Sequence, residues 1–379
     1  MTKKILIIPD SFKDSISSSE FCDIAKTALK KINSKTIVHS IPIGDGGEGS
    51  LESFKLIKNY TFKTSTVKSP LNKNIKANYC INELEKIGII ELAQASGIQL
   101  VPKRLRNPLN TTSYGVGQLI NKAISDGMKK IILFIGGSAT NDVGIGMLKA
   151  LGYTFKDSNN NELIANLKNL KKIKKIKKGS IHETIKKIEF IIACDVSNPL
   201  FGKNGATYVF GEQKGATGMN LNFIEDSVIH FSKIVAKNIS ENYSEHSGAG
   251  AAGGLGFAAL SFFNAKFTEG FSLLSQLLEL EKRIKTESYD YIITGEGCID
   301  EQTKYGKLLK KLGSLGQRHS IPVIAFAGKI KKDLSVLNLP GISSAYQITP
   351  HNTELNSAIK NTSVNLSKSL SEQMIKLLN

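Results

Sequence analysis

Five short segments join acidic or lysine side chains to glycine or other small residues, and each follows an apolar run. Pro9-Asp10-Ser11-Phe12-Lys13 follows Ile5–Ile8, and Gly44-Asp45-Gly46-Gly47-Glu48-Gly49 follows Ile41-Pro42-Ile43. Gly136-Gly137-Ser138-Ala139-Thr140-Asn141-Asp142 follows Ile131–Ile135, and Cys194-Asp195-Val196-Ser197-Asn198-Pro199 follows Ile191–Ala193. The fifth, Gly295-Glu296-Gly297-Cys298-Ile299-Asp300, follows Tyr291–Thr294. Such runs read as buried strands, and open α/β sheets bind ligands beyond the carboxyl ends of their strands. The five turns are therefore expected to face one cleft with carboxylates, amides and pliable backbone. That is the chemistry needed to hold a metal and a phosphorylated ligand. Mg²⁺ takes one or two carboxylates plus water, amides and cations take phosphate oxygens, and a base accepts a hydroxyl proton.

The acids available at these strand ends are Asp45, Glu48, Asp195, Glu296 and Asp300, and the cations embedded in signatures are Lys13, Lys214 and Lys307. Any single acid is accounted for as a turn residue or helix cap, which is the better account of Asp142 and Asp300 alone. The set is harder to explain that way, because every member sits at the same kind of position. Two segments, 44–49 and 248–253, match GxGxxG, a weak signal by itself. In the first, Asp45 and Glu48 would repel a bare pyrophosphate, and a cation between them would resolve the conflict. In the second, small residues suit either a close phosphate approach or tight helix packing. A nicotinamide-dependent dehydrogenase needs an acid some twenty residues on for the ribose, and Thr64–Lys73 contains none. The chain lacks a GxxxxGK[ST] loop, a protein-kinase catalytic loop and a GxSxG elbow.

A net charge of +17 raises nucleic-acid binding as a third reading. The densest block, Lys168–Lys178, has no interleaved aromatic to stack on bases, so it reads as a solvated face. The basic background would still draw anionic substrates. The four cysteines are dispersed without CxxC spacing, which disfavours a disulfide framework or a zinc site; Cys194 and Cys298 read as space-filling residues. No apolar stretch reaches membrane-span length. Lys3-Lys4 followed by Ile5–Ile8 is too short for a secretory leader, and a cytoplasmic location is expected, with no membrane or nucleic-acid partner.

The elements that must position these residues begin as βαβα. Ile5–Ile8 and Ile37–Ile43 read as strands, Ser17–Lys31 as a helix capped by a serine, and the run after Gly49 as a second helix. Thr61–Val67, Ile75–Ile81 and Ile87–Leu92 read as a meander. Alternation resumes with a helix at Thr112–Ser125, strand Ile131–Ile135 and a helix at Gly144–Leu151. Strand Ile188–Cys194, a helix near Asn222–Asn238, and strands Tyr291–Thr294 and Pro322–Ala327 follow. The expected fold is α/β: a Rossmann-like domain built from both chain ends (1–65 and 288–379) with an inserted mixed α/β domain (66–287).

The ordered set of signatures resembles the bacterial class I glycerate kinase family over nearly the whole chain. It comprises PDSFK (9–13), GDGGEG (44–49), ELAQASG (91–97), IGGSATND (135–142), ACDVSNPLFG (193–202), FGEQKGA (210–216), GAGAAGGLG (248–256) and TGEG-x-ID-x-QT (294–303) before Gly306-Lys307. The resemblance implies ATP-dependent phosphorylation of D-glycerate, generally to 2-phosphoglycerate, with Mg²⁺, in an interdomain cleft. On this reading Asp195 is the base. Lys13, Asp45 and Lys214 complete the catalytic set. Gly136, Gly137, Ser138, Gly250, Gly253, Gly254, Glu296 and Lys307 hold the nucleotide, and Asp45, Glu48 and Glu296 face the metal. The 3-hydroxyl of glycerate and other small hydroxy acids are the alternative acceptors, and a homodimer is one option for an assembly that the sequence leaves open. Four positions depart from the family pattern. Asp14 and Val143 stand where glycine is usual, Glu212 where proline is usual, and Cys298 where arginine is usual. Arginine can grip a carboxylate or phosphate bidentately and cysteine cannot.

Overall fold

The computed structural model describes residues 2–12, 14–44, 47, 49–179, 181–239, 241–301, 303, 308–331 and 339–378, without the side chains of residues 56, 182 and 219. Its chain forms two compact units. The first comprises Met1–Asp45, Glu52–Leu56 and Leu274–Asn379, and the second Gly46–Leu51 and Ile57–Leu273. A division at 65/66 passes through a strand of the second unit, Thr61–Lys68.

Strands are numbered in chain order. The first unit holds β1 (Lys4–Ile7), β2 (Ile37–Ser40), β11 (Tyr291–Ile299), β12 (Val323–Ile330) and β13 (Ile342–Gln347) in one parallel sheet ordered β13-β12-β11-β1-β2. By order of appearance within the unit this is 2-1-3-4-5, the doubly wound pattern whose direction reverses between β1 and β11. Both faces of such a sheet are covered by helices, so its strands are apolar without alternation: Ile5, Leu6 and Ile7 are all buried. Helix Ser18–Ile32 packs on Thr362–Leu378, and Phe21, Leu29, Leu366 and Leu370 close the core over Ile5, Ile7 and Phe326. Its start is fixed by a capping box: the Glu20 amide donates to Ser17 Oγ (3.2 Å) and the Ser17 amide to Glu20 Oε2 (2.7 Å).

The second unit holds β3 (Thr61–Lys68), β4 (Asn74–Asn82), β5 (Ile87–Glu91), β6 (Lys130–Phe134), β9 (Glu189–Ala193) and β10 (Lys266–Thr268), ordered β10-β9-β6-β5-β4-β3. The expected meander is the antiparallel run β3-β4-β5, and β5, β6, β9 and β10 are parallel. Four carboxyl strand ends thus lie along one edge of this sheet. Part of the lysine block forms β8 (Lys175–Lys177), paired with β7 (Thr154–Lys156) in a separate ribbon.

Three expectations are corrected. The segment Gly295-Glu296-Gly297 is not a turn: β11 continues through it, with Gly295 opposite Phe326, Glu296 opposite Ala327 and Cys298 opposite Lys329. Glycine does not end a strand whose partner keeps pairing, and a Cβ at Gly295 would lie 2.4 Å from the Phe21 ring, so the glycine serves packing. β2 stops at Ser40 rather than Ile43, because Pro42 has no amide to donate, although Ile41 and Ile43 still donate to Ile7 O (2.8 Å) and Pro9 O (3.3 Å). The run after Gly49 is a 3₁₀ helix, Ser50–Leu56.

Candidate active site

In the second unit the ends of β5, β6, β9 and β10 carry the candidate residues. β6 delivers its chain into Gly136-Gly137-Ser138. Gly137 takes φ +71°, a conformation that favours glycine. The turn is held from the β5 side, where the Ile98 amide donates to Gly137 O and the Ala139 amide to Ser96 O, both at 2.8 Å. Among the described residues the amides of Gly136, Gly137 and Ser138 have no acceptor, so three successive donors are available for an anion.

Beneath this turn lies Lys214, only 3% exposed. Its Nζ donates to Ser138 Oγ (2.9 Å) and Thr140 O (2.7 Å). Burial drives its pKa from 10.5 down to about 7, against the pull of the Asp142 charge. Asp142 is itself fully buried, and its carboxyl is pushed up by desolvation. Four donors oppose that shift: the Ser113 amide (2.8 Å) and hydroxyl (2.9 Å), and the amides of Gly144 (3.2 Å) and Gly146 (3.3 Å). Asp142 thereby anchors helix Ile145–Ala150 and the end of the glycine turn together. Two buried polar atoms next in sequence, Thr140 Oγ1 and Asn141 Oδ1, have no hydrogen-bond partner among the described residues.

Asp195, just beyond β9, is exposed, and its Oδ1 accepts from the Gly270 amide beyond β10 (2.9 Å). The side chain is thus aimed by backbone while remaining open to solvent, a suitable arrangement for a proton acceptor. The neighbouring Cys194 thiol is pushed up to about 11 by burial and donates to Val196 O, so it is an inert filler.

The glycines at 248–254 meet protein: a Cβ at Gly248 would lie 2.7 Å from the Phe267 ring and one at Gly254 2.8 Å from the Leu200 side chain, while Gly250 and Gly253 meet backbone. A Cβ at Gly250 would lie 2.2 Å from Pro199 O, one at Gly253 2.0 Å from Thr140 O, and one at Gly254 3.0 Å from Val143 Cα. The chain runs left-handed through Ala252, Gly253 and Gly254. Close packing onto the Asp142 and Asp195 segments therefore accounts for the small residues here.

In the first unit, Glu296 is buried on β11, where its Oε1 accepts from the buried Thr303 hydroxyl (3.0 Å). Thr303 Oγ1 accepts from the Asp300 amide (3.1 Å). Cys298 lies 3.9 Å from Asp300 Oδ2, which also has Lys331 Nζ at 3.7 Å. Lys13, Asp45, Glu48 and Lys307 lie outside the described residues. Among the described residues no group of three His, Cys, Asp or Glu could hold a metal ion.

Sequence reasoning passed over Glu91. This carboxylate, 1% exposed at the end of β5, accepts from the amides of Gly49 (3.1 Å) and Leu51 (2.9 Å). It fixes the exit of the segment that begins Gly44-Asp45. The available signal was its place at a strand end in ELAQASG. Ser113 and Thr303, which orient Asp142 and Glu296, carried none.

The sequence profile of the Glycerate kinase family matches residues 5–379. The chain is 36% identical over 356 residues to a glycerate kinase of Halalkalibacterium halodurans, covering 94% of this chain and 93% of that protein. It is 35% identical over 345 residues to the glycerate 2-kinase of Escherichia coli, covering 91% and 90%. Its fold matches a crystal structure described as glycerate kinase 2 from Salmonella typhimurium with TM-score 0.82 and 33% identity, covering 100% of this chain and 98% of that one. Among the described residues no helix is long and apolar enough to cross a membrane.

Proposed function

The chain belongs to the glycerate kinase family, and on that premise we propose that it transfers the γ-phosphoryl group of ATP to the 2-hydroxyl of D-glycerate. The observation that carries the phosphate side of this reading is the row of unspent amides at Gly136–Ser138 above a buried lysine amine. Such donors are pre-oriented, so they lose little on meeting the charge of a transferring group. Lys214 acts from below: it fixes Ser138 and Thr140, and in its protonated state it adds positive charge to the row.

Asp195 is the base for the acceptor hydroxyl, with the Gly270 amide setting its direction. Mg²⁺, when bound, would offset the negative charge of the phosphates. Hard carboxylate donors suit it; Glu296 supplies one from a strand with its orientation fixed by Thr303, and Asp45 and Glu48 complete the candidate set. Lys13 and Lys307 are the remaining candidates to neutralise phosphate or the glycerate carboxylate. The acceptor position follows the name of the E. coli relative.

The test is ADP release from purified protein with MgATP, with and without D-glycerate, and identification of the product by ³¹P NMR. Glycerate-dependent ADP with 2-phosphoglycerate is expected. The 3-phosphate as product would overturn the regiochemistry, and ATP turnover indifferent to glycerate would overturn the acceptor.

A further inference from the structure

A cavity of about 740 Å³ opens in the second unit between the residues that follow β3, those that precede helix Tyr114–Ser125, and the segment 162–168. Its walls differ in chemistry. Leu109, Tyr114, Leu163 and Ile164 supply apolar surface, and Ile164 is 75% exposed, a large aliphatic side chain held open to solvent at the cavity. The amide side chains of Asn72 and Asn110 line it and make no hydrogen bond among the described residues. Lys68 and Lys168 also line it, and among the described residues neither forms an ion pair. The one acid present, Glu162, is neutralised by its salt bridge to Lys149.

A single exposed isoleucine needs no explanation. Apolar walls around a few unspent amides, with free cations at the margin and size enough for a drug-sized molecule, make a ligand pocket. Its chemistry is that of a nucleotide: a flat, weakly polar base against aliphatic and phenolic surface, hydroxyl and ring-nitrogen edges toward amides, and phosphates toward lysines. Its position agrees. Thr111, on the cavity wall, donates through Oγ1 to Ala139 O (3.2 Å), so the wall is tied directly to the Gly136–Asp142 turn.

We infer that this cavity seats the base and ribose of the nucleotide, with Ile164 as an apolar wall for the base and Lys68 and Lys168 near the phosphates. The placement rests on the nucleotide-dependent reading given above. It is tested by isothermal titration of the full chain with MgADP, comparing wild type with Ile164→Glu and Lys168→Glu. Both positions are exposed, so the urea midpoint should not move. Either change should weaken MgADP binding at least tenfold and raise the KM for ATP in parallel, with the KM for glycerate unchanged. If wild type binds MgADP and phosphorylates glycerate while both variants bind it equally well, the placement is wrong and the kinase reading stands. If wild type neither binds MgADP nor turns over ATP, both fall.

Discussion

Replacing Lys214 by Met separates what its charge does from what its length does. Burial has moved the amine from 10.5 to about 7, so folded and unfolded chains hold different numbers of protons in the window between. The unfolded chain keeps this proton up to 10.5 and the folded chain releases it above 7. Stability therefore rises with pH through that window and carries the full penalty below it. The slope from one residue is about 1.4 kcal/mol per pH unit, or roughly 3 kcal/mol between pH 7 and 9. Lys214→Met removes the slope and leaves Ser138 Oγ and Thr140 O without their donor, a loss of about 1–3 kcal/mol for each buried acceptor. At pH 6 the two effects oppose each other and the variant should be close to wild type; by pH 9 roughly 3 of the about 5 kcal/mol penalty is relieved in wild type, so the variant should be weaker relative to wild type by about that much more than at pH 6. Urea unfolding of both proteins from pH 6 to 9 reads the difference directly. A wild-type-minus-variant difference constant across pH 7–9 would refute the lowered pKa. In turnover the variant should lose about 10²–10³-fold in kcat, the scale of removing one pre-oriented electrostatic donor. Wild-type kcat/KM should fall as pH rises above 7, because a neutral amine adds no charge to the amide row. Bound MgATP should move that fall upward, since an anion favours the protonated amine.

Asp195→Asn keeps an oxygen for the Gly270 amide, so urea midpoints should match wild type while kcat falls about 10²–10⁴-fold; near-normal turnover would remove Asp195 as the base. Glu91→Gln weakens the grip on Gly49 and Leu51, and those two amides should exchange with deuterium at least tenfold faster, unlike amides within β6. Cys298→Arg places a guanidinium within reach of Asp300, now 3.7 Å from Lys331. It should add up to about 1 kcal/mol with the glycerate KM within twofold; a tenfold fall in KM would instead put position 298 against the substrate. Val143 is a buried β-branched residue at φ +51°, where glycine avoids about 1–2 kcal/mol of strain. Val143→Gly should therefore be at least as stable as Val143→Ala in urea, the reverse of the usual order, and a more stable Ala variant would show that the strain is absent.

Elements were legible where burial acts on both sides. Ile5–Ile7 and Ile131–Phe134 are buried throughout their sheets, and their shortness and β-branched content, with turn residues after them, favour strand over helix. Glycine misled at β11 because its local meaning, a turn, was overridden by a partner strand and by the Phe21 ring, neither of which is close in sequence. The same holds at the site. Asp195 was legible as an acid at a strand end. The roles of Glu91 and Asp142 were not, because each depends on amides supplied from 40 and 29 residues away in the chain. Gly253 was open between approaching a phosphate and approaching protein, and only the position of Thr140 O favours the second. The two departures from family glycines could be named from sequence, but not the conformation they adopt. Asp14 and Val143 both sit at positive φ, 61° and 51°, a conformation that suits glycine. At Val143 the amide still donates to Gly253 O (3.0 Å) and the side chain joins the core. Those contacts hold a strained residue in place beside Asp142, so the strain falls on the same short segment that carries the amide row and the Lys214 contacts.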